Sequence, residues 1–429
     1  MVEPHSAQRK AIDRRVALAR EWDDLVGRAR SLGPEFAGFL DPPRLSELTP
    51  HVGTGTAVLI NVTPERCDAL LVSADGVQPV PLPDLSLREA GVRTTAHLAR
   101  LARLDAAAAR MVHTAHWARV RPAATNFTAH HRAKTELLQA QDDLDGHLSA
   151  DLVWLWDVVT GPVLEHICPD SATGGRDTRV WWCPTGPLSF LPLHASGHHD
   201  GSGVSVLDRV TSSYTPTLRA LALAAQPPRE ERHLRMLAVI VEDLAGQPPL
   251  PQAEAELELL RELFPDDQLT VLDGRAATRA AVLDALPHHR WVHFSCHGRQ
   301  NLSNPSHGGL LLADGQLTVT ELGRGRFDGE FAFLSACMTA TGGVHLSEEV
   351  ITLGAGLHYA GFRHVLATLW SIDADVAADL AHQIIKPLVT DGRLDPNRSA
   401  AVVNEAVLSL RAGFPTKPSR WAPITHTGP

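Results

Sequence analysis

The sequence lacks several features that would assign it to whole classes of protein. None of its 429 residues belongs to an uninterrupted apolar stretch of the roughly 18 residues that a membrane-spanning helix needs, and its first residues lack the apolar core of a secretory signal. The formal net charge is −10 and no polybasic run occurs. We therefore expect neither a membrane nor a nucleic acid as a direct partner.

Cysteine is scarce, and its pattern suits neither a disulfide framework nor a metal site. The five cysteines are residues 67, 168, 183, 296 and 337. An odd number without CxxC pairs argues against structural disulfides and favours a reducing cytoplasm. Histidine is frequent, with 23 copies, but the adjacent pairs such as His130–His131 lack zinc spacing. We expect no metal and no cofactor.

Residues 1–144 have the pattern of a smaller unit of helices and a β-meander. Helices are predicted over about 7–32, about 87–142 and 148–159, the last ended by Gly161–Pro162. Three short strands are predicted at 57–62, 69–73 and about 77–80. No cluster of catalytic residue types occurs in this unit, so we interpret it as a partner-docking unit or as an inactive counterpart of the domain that follows.

Residues 145–429 read as a second, α/β domain. Strands are predicted at 179–184, 236–241, 269–272, 291–296, 331–334 and 364–369. Helical patterns alternate with most of these strands, and the one at 348–360 forms a crossover between the last two. This alternation predicts three layers, with a mostly parallel central sheet between two layers of helices.

Two of these strands lead directly to residues with reactive side chains. Trp291–Cys296 leads directly into His297, and Phe331–Leu334 leads to Cys337, forty residues after the histidine. The carboxyl ends of neighbouring parallel strands meet in one crevice. The sequence therefore predicts a thiol and an imidazole in the same crevice, which is the minimum for nucleophilic catalysis.

The residues beside this pair fit the same chemistry. A histidine can take the proton of a thiol or stabilise the thiolate, which is the reactive form. Gly298 has no Cβ to block a substrate carbonyl, and its N–H and that of Cys337 can stabilise an oxyanion. Cys296 is a competing nucleophile, but side chains alternate across a strand, so it should point away from the face of His297. His293, on the same strand, should pack against a helix.

Several motifs in this region resemble the CHAT family of caspase-like proteases, which are related to separase and often fused to TPR repeats. They are PLPQAEAE at 249–256, LDGRAAT at 272–278, HFSCHG at 293–298, GLLL at 309–312, LSAC at 334–337 and ATLW at 367–370. Further similar segments are CPTGPLSFLP at 183–192 and WAP at 421–423. The resemblance covers about 145–429. It implies a caspase-like fold in which His297 is the general base and Cys337 the nucleophile.

The resemblance also suggests a substrate pocket. In separase-like relatives an acidic residue after the strand ending near Trp370 meets a basic P1 side chain, and here Asp373 and Asp375 occupy that region. The alternative is that Asp373 only caps the helix that follows. Glu348 and Glu349 could also contribute, although acids in a first helical turn suit the helix dipole anyway.

No TPR array is present, because residues 1–144 are too short and too rich in strands for one. We therefore expect a protein substrate and a separately encoded regulatory or adaptor protein, with loops 299–308 and 338–347 as movable walls of the active site. Two alternatives stay open. One is a catalytically silent caspase-like interaction module, and the other is a cysteine hydrolase acting on a non-peptide bond.

Overall fold

The computed structural model describes residues 4–36, 38–120, 124–168, 178–226, 234–299, 305–335 and 353–429. The chain forms two compact units, Met1–Leu48 and Thr49–Pro429. The first unit contains helix α1, Pro4–Arg30, and the short helix α2, Leu45–Leu48. The helix predicted over 7–32 is confirmed, and Trp22 and Leu25 on it are exposed.

The second unit is built on a large sheet. The strands of the described residues are β1 Thr56–Val62, β2 Cys67–Ser73, β3 Gly76–Pro81, β4 Arg179–Pro184, β5 Thr211–Tyr214, β6 Met236–Ile240, β7 Leu269–Asp273, β8 Trp291–Ser295, β9 His297–Arg299, β10 Gly309–Leu312, β11 Gly315–Thr318, β12 Phe331–Ser335, β13 His364–Thr368, β14 Val389–Thr390, β15 Arg393–Leu394 and β16 Ile424–Thr427. All of the strands predicted from the sequence are present, with ends that differ by one or two residues.

The helices of this unit lie mostly between the strands. They are α3 Leu87–Val120, α4 Ala124–Leu155, α5 Gly161–Ile167, α6 Val206–Arg209, α7 Leu218–Ala225, α8 Gln252–Leu263, α9 Arg279–Ala285, α10 Val319–Arg324, α11 Leu353–Tyr359, α12 Ala374–Leu388 and α13 Ser399–Gly413. The predicted crossover helix over 348–360 corresponds to α11, while 348–352 lie outside the described residues. No helix in the described part of the chain combines the length and the apolar character needed to cross a membrane.

The central sheet has eleven strands within the described residues, in the order β3-β2-β1-β4-β5-β16-β13-β12-β8-β6-β7. The run β13-β12-β8-β6-β7 is parallel, and β16 is antiparallel to β13. One apolar cluster packs α8, α12 and α13 on one face, and a second packs α9, α10 and α11 on the other. The predicted α/β class with a mostly parallel sheet between helical layers is therefore confirmed.

The strands predicted for the N-terminal region join this same sheet. β1 pairs in parallel with β4, with Ala57 opposite Trp181, and Val58 and Ile60 pack in one apolar cluster with Trp182. The compact unit that contains these strands begins at Thr49, and the division at 144/145 stays a prediction. A meander of three strands leaves an apolar face and an edge unsatisfied, and adding it to a larger sheet removes both.

One predicted helix end is wrong. Gly161–Pro162 was expected to terminate a helix, but α4 continues through a π-helical turn, Trp156–Thr160, into α5. Pro162 lies in the first turn of α5, directly after the π-helical turn, where the α-helical hydrogen-bond pattern is already interrupted. The region from 87 to 155 is thus a hairpin of two long helices, α3 and α4.

Candidate active site at the carboxyl edge of the sheet

The register of two neighbouring strands sets the candidate site. β8 and β12 are adjacent and parallel, and Ser295 at the end of β8 lies opposite Ser335 at the end of β12. His297 and Cys337 each follow two residues later in the sequence. Cys337 lies outside the described residues, as does the whole stretch 336–352, so the structure gives the place where its strand ends. That place is beside the end of the strand that leads to His297.

His297 is half-buried and held by a backbone carbonyl. It begins β9, after the chain has left the central sheet, and β9 pairs with β10 so that Gly298 lies opposite Leu310. The Nε2–H of His297 donates to the carbonyl oxygen of Pro248 at 2.7 Å. Pro248 belongs to the loop after β6, the strand on the other side of β8. This bond leaves Nδ1 as the ring nitrogen that can accept a proton.

Cys296 is buried in the apolar core instead. It is 1% exposed and packs in the cluster of Phe294 and Leu334, whereas Trp291 and Phe333 pack on the opposite face of the sheet. The alternation along β8 therefore separates Cys296 from the face of His293. The cavity that Cys296 lines together with Ser335 and Thr368 holds only about 20 Å³, so the thiol is poorly placed to meet a substrate.

A buried carboxylate that sequence reasoning missed links the two strands. Glu256, on α8, accepts a hydrogen bond from His293 Nε2 at 2.8 Å and another from Ser335 Oγ at 2.6 Å. Because Glu256 belongs to α8, the expectation that His293 packs against a helix is correct. His293 also meets the ring of Phe333 edge-on at 5.2 Å. The available signal was the position of Glu256, which falls between Ala253 and Leu260 on the apolar stripe of its helix.

The two predicted pocket carboxylates are engaged by an arginine. Asp373 and Asp375 each lie 2.9 Å from Nη2 of Arg420, whose guanidinium also stacks 4.3 Å over the ring of Phe414. Asp373 stands at the N-cap position of α12, but its side chain makes no capping bond. It is therefore an ion-pair partner and not a helix cap. Glu348 and Glu349 lie outside the described residues.

Elsewhere in the described chain the buried imidazoles are kept neutral. Burial lowers the pKa of His97, His194 and His364 to about 3 and that of His358 to about 4. Burial also raises the pKa of the Cys183 thiol to about 12. These groups lack solvent access, and their pKa values lie too far from neutral pH for acid–base or nucleophilic chemistry.

Two further features of the described residues bear on where a site could lie. No group of three or more His, Cys, Asp or Glu side chains among them is arranged to hold a metal ion. A cavity of about 1000 Å³ opens at the opposite edge of the sheet, beside the buried ion pair of Arg290 and Glu330. The residues that line it include neither cysteine nor histidine.

The chain was compared with known proteins. The CHAT domain family matches residues 149–429. Two crystal structures of the Saccharomyces cerevisiae separase–securin complex, at 2.6 and 3.0 Å resolution, match with TM-scores of 0.57 and 0.51 and identities of 10% and 8%. The matches cover 90% and 89% of this chain, and 31% and 30% of the chains they match. A search of curated protein sequences gives no match.

The structural likeness is one of fold. At these identities it shows that the large sheet and its helices have the caspase-like arrangement predicted from the sequence. The chain spans about a third of the length of the separase-complex chains it matches. The activity and the partners of those larger proteins are not carried over with the fold.

Proposed function

The chain belongs to the CHAT domain family, a family of caspase-like proteases, and from that premise we propose that it is a cysteine endopeptidase with a Cys337–His297 dyad. The observation that carries the proposal is the pairing of Ser295 with Ser335. It supports delivery of both residues to one edge of the sheet, since each follows its serine by two positions. The half-buried His297, fixed through Nε2, supports its role as base.

The proposed reaction uses these groups in order. Nδ1 of His297 takes the thiol proton, and the sulfur of Cys337 bonds to the peptide carbonyl carbon to form a tetrahedral intermediate. The N–H groups of Gly298 and Cys337 stabilise its oxyanion. The C–N bond then breaks as the imidazolium gives its proton to the amine, which leaves a thioester. Water, deprotonated by His297, hydrolyses the thioester and restores the thiol.

We propose a basic P1 residue, with Asp373 and Asp375 as the groups that would receive it. Support comes from their present partner, because a guanidinium already lies within 2.9 Å of both carboxylates. A P1 arginine or lysine would have to share these carboxylates with Arg420 or displace it. The preference is therefore conditional on some freedom of the Arg420 side chain.

We further propose that a separately encoded partner or a signal gates the activity, in the cytoplasm. Loops 299–308 and 338–347 flank the dyad in sequence and are the segments on which such a partner would act, although 300–304 and 338–347 lie outside the described residues. Full activity of the purified chain alone would reject gating and leave the protease proposal intact.

A peptide library tests the reaction class. The wild-type chain, with candidate partner proteins added, should cleave peptides after a defined residue, and Cys337→Ala should cleave none of them. Cleavage of no peptide by the wild type would favour the silent interaction module. Turnover of ester or other non-peptide substrates alone would favour a cysteine hydrolase that acts on a non-peptide bond.

A further inference from the structure

We infer that Glu256 is a positioning residue for the dyad, an inference that rests on the proposed function. Its carboxylate is 1% exposed and is shared between the two strands that lead to His297 and Cys337. Within the described residues its carboxylate bonds to His293 and Ser335, whereas His297 bonds to Pro248. It would act by fixing the separation and the direction of the strand ends that present them.

The hydrogen bonds fall close to the dyad along each strand. Glu256 holds β8 at His293, four residues before His297, and holds β12 at Ser335, two residues before Cys337. Phe333 is the register partner of His293, so His293 and Ser335 lie on the same face of neighbouring strands. One carboxylate can therefore reach both. Ser335 is the last residue of β12, so this bond acts at the end of the strand.

Stability alone does not account for an acid at this position. Burying a carboxylate carries a large desolvation cost, and replacing a whole buried set of polar partners by well-packed apolar side chains is often neutral or stabilising, although removal of one partner alone is destabilising. The neighbours of Glu256 on this face, Ala253 and Leu260, are apolar and fully buried. A leucine at 256 would extend the apolar stripe, but it could not hold the two polar groups in a fixed arrangement.

The consequence for catalysis follows from the sensitivity of the reaction to geometry. A displacement of about 1 Å in a reacting group can cost on the order of 100-fold in rate. Without Glu256 the hydroxyl of Ser335 and the imidazole of His293 lose their shared acceptor, and only the backbone pairing of β8 with β12 then holds the two strand ends together. We therefore expect a loss in kcat with little change in KM, because the substrate-binding groups stay in place.

The test compares three variants of the full chain in peptide cleavage. Glu256→Ala should lower kcat about 100-fold with KM changed by less than about threefold. Glu256→Gln keeps an acceptor oxygen, adds a donor and should retain kcat within about threefold, since both bonds can re-form if His293 changes tautomer. The matched control is Leu260→Ala, one turn along the same helix. It should lower the melting temperature but keep the wild-type kcat at temperatures where the variant is folded.

Equal kcat values for Glu256→Ala and Leu260→Ala would overturn the inference, and so would an equal loss in Glu256→Gln and Glu256→Ala. If Glu256→Ala does not fold, Ser335→Ala removes one of the two bonds and should still lower kcat about tenfold, and an unchanged kcat there would also contradict the proposal. All variants are assayed with the candidate partner proteins present, and failure of the proposed function looks different, because the wild-type chain would then cleave no peptide even with those proteins added.

Discussion

The two halves of the central sheet carry similar side chains in opposite environments. In the first half, β4 carries Cys183, and His194 follows it and bonds to Tyr214 at the end of β5. All three are enclosed, and burial raises the pKa of Cys183 to about 12 and lowers that of His194 to about 3. In the second half, His297 lies half-buried at the edge and keeps one ring nitrogen available.

The difference shows that position, and not residue type, separates a structural imidazole from a candidate base. A thiol and an imidazole inside the core are neutral and serve as small packing groups. The same groups just beyond the end of a strand can meet solvent and substrate. We therefore assign the catalytic chemistry to the second half of the central sheet, and a packing role to the thiol and the imidazole of the first half.

Removing either member of the proposed dyad should have the largest effect. Cys337→Ala or His297→Ala should lower kcat/KM on the order of 1000-fold or more, because each removes the nucleophile or its base. Cys183→Ala, the matched change in the first half, should leave kcat/KM within about twofold. The values come from initial rates on a peptide substrate at a temperature where all variants are folded. Comparable losses in Cys183→Ala and Cys337→Ala would break the contrast between the halves.

The buried histidines should make the fold sensitive to acid. The pKa of His194 is about 3 in the folded chain and about 6.5 when unfolded, so below pH 6.5 the unfolded state binds the proton and the folded state does not. The free energy of unfolding should therefore fall by about 1.4 kcal/mol per pH unit for this residue between pH 6.5 and about 3. Urea titrations at pH 6.5 and 5.0 should show a smaller fall in His194→Gln. An identical fall in the free energy of unfolding in the wild type and in His194→Gln would contradict the low pKa of His194.

Neutralising the carboxylates at Arg420 should give the smallest effect. Asp373→Asn or Asp375→Asn should reduce kcat/KM about three- to tenfold for substrates with arginine or lysine at P1, since one of two charges facing the cation is lost. A matched peptide with norleucine at P1 is the control and should be turned over as before. Equal losses on both peptides would show that these residues support the fold around Arg420 and do not select the substrate.

Most of the architecture could be predicted from the sequence because it depends on local patterns. Short apolar runs such as Met236–Ile240 and Leu269–Asp273, separated by the amphipathic helix α8, are typical of a parallel sheet. The end of helix α4 could not be predicted in this way. Gly161–Pro162 is a helix-ending pair by its local propensity, and a π-helical turn allows the chain to continue as a helix.

The tertiary parts of the site were harder to foresee. The strand pattern predicted that the two strand ends meet at one edge of the sheet, but the register that sets Ser295 beside Ser335 depends on strand pairing over forty residues and could not be predicted from it. The links from Glu256 to β8 and β12, and from Arg420 to Asp373, join residues 37 to 79 positions apart. No local pattern encodes such contacts. An acid on an apolar helical stripe was a sign that a buried polar partner exists, but it did not identify the partner.

The most direct test of the account is to label the wild-type chain with a peptide-based electrophile that reacts with activated thiols, and to map the modified cysteine by mass spectrometry. We predict modification at Cys337, abolished in Cys337→Ala and strongly slowed in His297→Ala. Modification at Cys296 or Cys183, or labelling of Cys337 at the same rate without His297, would contradict the proposed dyad.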